Sequence, residues 1–128
     1  MVELGQALEA LKSVPWGRYV KFAFLTGSLA ERGRGNDVDV VVSKISLEDY
    51  GELLYQITYA LGLDEDHVDL VPVDDNTPCV FVVDALSKSV PLYVADWDEV
   101  FRIFNICQDF LIDAKKLDLY HTAARAVL

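Results

Sequence analysis

Residues 25–42 read LTGSLAERGRGNDVDVVV, and where this stretch puts its carboxylates decides the fold. An apolar segment runs into Gly27-Ser28, passes through a short charged loop, and enters a run of valines that holds Asp37 and Asp39. So dense a run of β-branched residues packs as a buried strand. Side chains two apart on a strand share a face, so Asp37 and Asp39 project together while Val38 and Val40 pack on the other side. Like charges about 5 Å apart repel by roughly 3 kcal/mol at an effective dielectric of about 20. Basic neighbours, a proton or a bound cation must offset that repulsion.

Periodicity and turn residues place the elements on either side. Val2, Ala7, Leu8 and Leu11 recur at helical spacing over residues 2–13, and Pro15 and Gly17 end that helix. Residues 18–26, RYVKFAFLT, alternate as a strand, and Gly27-Ser28 opens a short helix to Arg32 with Ser28 as its N-cap. Gly33 and Gly35 turn the chain into a second strand at 37–43. Ser46 and Asp49 start a helix over 46–62 in the manner of a capping box, and Gly62 stands where a terminal glycine is expected. HVDLVPV at 67–73 is a third strand, held to a sheet edge or a strand end by Pro72.

Residues 74–78, DDNTP, carry turn chemistry, and residues 80–89 read as a short helix or an extended piece, with the helix favoured. VPLYVA at 90–95 is a fourth strand, and the pattern is helical again over 96–128, with a break near 117–119. This order predicts a single α/β (α+β) domain spanning 1–128, a small mixed β-sheet flanked by helices. The short link between the first two strands predicts that they are antiparallel neighbours.

The totals narrow the classes. With 128 residues, 52% hydrophobic and 25% charged, the chain is a folded globular protein. No apolar run approaches the roughly 20 residues of a membrane span. The acidic, amphipathic start MVELGQALEALKSV is unlike a signal peptide, so a cytoplasmic protein is expected. In that reducing compartment Cys79 and Cys107 are expected to be buried free thiols. A net charge of −10 repels phosphate backbones and argues against direct nucleic-acid binding. Any bound anion has to be held locally, by backbone donors or a metal.

Asp69 adds a third carboxylate if its strand lies beside the second, and His67 stands two residues away on the same strand face. Gly27-Ser28, at a strand exit and a helix start, can cradle phosphate with backbone N–H groups and a hydroxyl. Each feature has an ordinary reading alone: a helix cap, a salt-bridged strand end, a surface ion pair. Together, a phosphate cradle facing carboxylates that suit Mg²⁺ is the arrangement that metal-assisted nucleotidyl transfer needs. Arg32 and Arg34 are read as solvated loop charges, and His67 as a surface or structural histidine.

Thr26-Gly27-Ser28 through Asp37-Val38-Asp39, with Asp69 on a later strand, resembles the polymerase-beta-like nucleotidyltransferase superfamily. The length is similar to that of its smallest members, the minimal nucleotidyltransferases (MNT), and the likeness covers nearly the whole chain. The resemblance implies that Gly27 and Ser28 bind nucleotide phosphate and that Asp37 and Asp39 are metal ligands. Asp69 would then assist metal binding or activate the acceptor, with ATP as substrate and Mg²⁺, as two ions, as cofactor. The eight residues between Ser28 and Asp37 are fewer than this family usually has, which shortens the loop's reach over the nucleotide.

Stand-alone chains of this kind resemble the antitoxin of MNT/HEPN toxin–antitoxin pairs. The implied activity is transfer of AMP from ATP to a tyrosine of the HEPN ribonuclease toxin. A single domain and an acidic charge both agree with a protein acceptor. A non-catalytic antitoxin that works by contact is the alternative, with a small-molecule nucleotidyltransferase behind it. Trp97, Phe101, Phe104, Ile106 and Phe110 help to make the last helix apolar over more than half its circumference. Such a helix is either deeply packed or an interface for a homo- or hetero-oligomer.

Overall fold

The computed structural model describes residues 1–74 and 76–109. Its elements in chain order are β1 (Val2–Glu3), α1 (Leu4–Leu11), β2 (Phe22–Thr26), α2 (Gly27–Arg32), β3 (Arg34–Gly35) and β4 (Val38–Val42). There follow α3 (Leu47–Leu61), β5 (Val68–Pro72), α4 (Cys79–Ser87) and β6 (Val90–Val94). Residues 97–109 are helical and are called α5. The expected break near 117–119 and the rest of the expected helix over 96–128 lie outside the described residues.

The main sheet has the order β5-β4-β2-β6. β2 runs antiparallel to β4 and to β6, as the short link predicts for the first pair, whereas β4 and β5 are parallel. β5 lies at the edge with Pro72 as its last residue, where the missing N–H costs the ladder least. β2 does not alternate: all of its residues are buried, because helices cover both faces of the sheet. Ala23, Leu25, Val38, Val40 and Leu70 pack on one face with Leu11 of α1 and with Leu53 and Ile57 of α3. Phe22, Phe24 and Val41 pack on the other with Val82 of α4 and Val100 of α5.

Four expectations shift. The first helix is trimmed because Val2 and Glu3 pair antiparallel with Gly35 and Arg34, forming a second, two-stranded sheet. The strand expected from residue 18 starts at Phe22, since Trp16–Arg18 coil into a 3₁₀ turn. The buried Trp16 indole holds that turn by donating to the Leu11 carbonyl at 3.1 Å. Ser28 is not the cap of α2: Thr26 holds that position, and Ser28 lies inside the first turn. Cys79 and Cys107 are not free thiols but a disulfide between α4 and α5, with Cα atoms 5.0 Å apart. The two helices meet over the second core, which brings together residues that lie 28 apart in sequence.

The cap at Ser46 is as expected, its hydroxyl accepting from the Asp49 N–H at 3.2 Å. Gly62 ends α3 in the left-handed conformation, as expected there.

Candidate active site

β4 lies between β2 and β5, so the middle strand carries its aspartate to a meeting point of three elements. Asp39 is the direct partner of Thr26 on one side and of Asp69 on the other. Its side chain shares a face with Val41 and so points toward the α4 side of the sheet. There a cleft of about 440 Å³ is lined by Thr26, Gly27, Asp39 and Asp69. Phe81, Asp84, Ala85 and Lys88, from α4 and its end, line it as well, with Tyr50 from α3.

Gly27 opens α2 at φ +75°, in the left-handed region where a side chain is strained. A Cβ there would fall on the Asp39 carboxylate, whose Cγ lies 3.1 Å from that position. Close approach to Gly27 is therefore real, and the group that makes it is Asp39.

Asp39 is pushed up to about 6, first by burial, then by a hydrogen bond with Asp69 and by the negative charges of Asp69 and Asp37. The ionised pair is thus electrostatically uncompensated by the protein, and a proton or a hard cation relieves it.

Asp37 precedes β4 and is exposed, with its Oδ1 3.2 Å from His67 Nδ1. His67 ends the 3₁₀ turn Glu65–His67 and so precedes β5, which starts at Val68, instead of lying within the strand as expected. Among the described residues, no group of three or more His, Cys, Asp or Glu side chains is gathered closely enough to hold a metal. Of the residues singled out in the sequence, Gly27, Asp39 and Asp69 line the cleft; Ser28, Asp37, Arg32 and Arg34 do not.

The sequence reading passed over Lys88, Asp84, Phe81 and Tyr50, all of which line the cleft. The four-residue spacing of Asp84 and Lys88 suits a helical ion pair, but nothing local shows which strand ends that helix will cover.

No family model and no curated protein sequence matches the chain. Solved structures do. A toxin–antitoxin complex with AMP-PNP matches at 14% identity and a TM-score of 0.61, over 96% of this chain and 99% of the other. The toxin–antitoxin pair MntA–HepT matches at 15% identity and a TM-score of 0.55, over 94% and 96%. A tri-AMPylated HEPN toxin of Shewanella oneidensis in complex with its MNT antitoxin matches at 16% identity and a TM-score of 0.54, over 93% and 95%. In architecture, the chain has the minimal nucleotidyltransferase fold of the MntA antitoxins.

Proposed function

We propose that this protein is a cytoplasmic, Mg²⁺-dependent nucleotidyltransferase that moves AMP from ATP to a tyrosine of a HEPN-type toxin and so acts as its antitoxin. The observation that carries this reading is the pairing of Asp39 with Asp69 in parallel register, beside Gly27 and within one cleft. The AMP-PNP complex and the AMPylated HEPN toxin among the matching structures support it.

With Asp37 added to Asp39 and Asp69, the donor set would suit magnesium. Asp39 and Asp69 offer hard oxygen ligands whose mutual repulsion a divalent ion would remove. Asp37 would join them by giving up its bond to His67, an exposed contact that costs little to break. When bound, the ion would polarise the α-phosphate and offset the charge that develops there. The chain's own groups do the rest. The N–H groups around Gly27 and Ser28 orient the phosphates, and the Ser28 hydroxyl is exposed and able to follow them. The acceptor hydroxyl oxygen bonds to the α-phosphorus, its proton passes to the exposed Asp69 carboxylate, and the bond to the β-phosphate breaks to release pyrophosphate.

A second reading, an antitoxin that works by contact alone, is favoured by the Asp37–His67 bond, which engages Asp37 outside the cleft lining. Incubation with the product of the neighbouring gene, Mg²⁺ and either α- or γ-labelled ATP separates the two. Label from the α- but not the γ-phosphate on the partner, lost in D37A/D39A, is the expected result. Tight partner binding without label would leave the contact reading.

A further inference from the structure

The cleft has an imbalance of charge that its substrate would have to meet. Glu31, Asp39, Asp69 and Asp84 line it, and among the described lining residues Lys88 is the one cation. A nucleoside triphosphate brings further negative charge to this place. Arg32 and Arg34, the first basic residues after Gly27, do not line the cleft.

Lys88 caps the C-terminal end of α4, and its Nζ lies 3.6 Å from both Glu31 of α2 and Asp84 of α4. It thus stands between the helix that Gly27 opens and the helix that covers the cleft. Both contacts are long and solvent-exposed, with 60% of the Lys88 side chain accessible, so each holds the ammonium only weakly. A lysine is a compact point charge with three donors on a flexible stem, which suits phosphate oxygens whose position the backbone has already set.

We propose that Lys88 is a substrate-binding residue that leaves Glu31 and Asp84 to engage the phosphate chain of the nucleoside triphosphate. The proposal rests on the nucleotidyltransferase reading and adds to it the side chain that recognises the phosphates. Glu31 and Asp84 then have a defined part: they hold the ammonium at the cleft while it is empty and compete with the nucleotide for it.

The test is titration of the full-length protein with AMP-PNP and with AMP, each with Mg²⁺, using wild type, K88Q, K88R and E31Q/D84N, with melting curves to check folding. K88Q is expected to weaken AMP-PNP binding about tenfold and AMP binding much less, since AMP lacks the β- and γ-phosphates. K88R is expected to retain most of the affinity, and E31Q/D84N to tighten AMP-PNP binding by freeing the ammonium. Equal AMP-PNP affinities for K88Q and wild type would overturn the proposal. So would a loss in E31Q/D84N that matches K88Q, because Lys88 would then act only as a tie between α2 and α4. Wild-type protein that binds no AMP-PNP would overturn the nucleotidyltransferase reading and the Lys88 proposal with it.

Discussion

Asp39 and Asp69 sit directly opposite each other on parallel strands, and the Asp39 carboxylate occupies the space that a side chain at residue 27 would need. The glycine, the strand aspartate and the third carboxylate are therefore one packing unit. β4 is the shared member, because it pairs with the strand that ends at Thr26 and with the strand that carries Asp69.

Gly27→Ala is expected to be costly in two ways. The methyl group meets the Asp39 carboxylate, and the alanine must hold φ +75°. Left-handed backbone alone costs a non-glycine residue about 1–2 kcal/mol. Chemical denaturation should show a loss of at least that size, and AMP-PNP titration should show weakened binding, because Asp39 has to move.

The raised proton affinity of Asp39 gives stability a defined pH dependence. Folding lifts its pKa from the ordinary 3.8 to about 6, so the folded state holds the proton more tightly than the unfolded chain. This stabilisation is complete below the unfolded value and is lost as the pH rises through about 6. Without Mg²⁺, Asp39→Asn should flatten the pH dependence of melting across that window. At pH 7 it should add about 1 kcal/mol, a figure reduced for solvent screening of a partly exposed group. A wild-type melting temperature that does not fall between pH 4 and 7, relative to Asp39→Asn, would contradict this.

These charge effects were half visible in the sequence. The DVDVVV run showed a strand with paired carboxylates because alternation is local, and Ser46, Asp49 and Gly62 marked the limits of α3 for the same reason. Which strand lies beside which is not local. Asp69 became a partner of Asp39 only when β5 added in parallel to β4, and Asp37 turned to His67 only when the turn before β5 came alongside. Lys88 belongs to an element with no chemical signature of its own, and only the packing of α4 over the strand ends brings it to the cleft. The expected free thiols failed likewise, since compartment and hydropathy say nothing about two helices meeting.

Reduction of Cys79–Cys107 should destabilise the protein. The bond closes a loop with a sequence separation of 28. Loop-closure entropy for that length corresponds to about 3.5 kcal/mol at 25 °C. Melting with and without reductant, beside a Cys79→Ser/Cys107→Ser variant, checks it. Reductant should lower the wild-type melting temperature to near that of the variant and leave the variant unmoved.

The exposed side of α5 should matter for partnership more than for folding. Val100 and Cys107 face the core, whereas Phe101 is 54% and Ile106 56% exposed, so packing among the described residues does not consume the apolar surface of this helix. Trp97 stands between the two roles: its ring meets Phe24 edge-on at 6.0 Å and stacks on Phe101 at 5.7 Å. Trp97→Ala should therefore lower stability, because it strips cover from a buried core phenylalanine. Phe101→Asp should lower the melting temperature less than Trp97→Ala, since it removes one ring stacked on Trp97 but no direct cover from Phe24. If a HEPN-type partner docks on this face, the same change places a charge where aromatic contact is needed and should weaken the complex at least about tenfold. Partner affinity measured by calorimetry for both variants decides it: Phe101→Asp binding as tightly as wild type would place the docking surface elsewhere on the molecule.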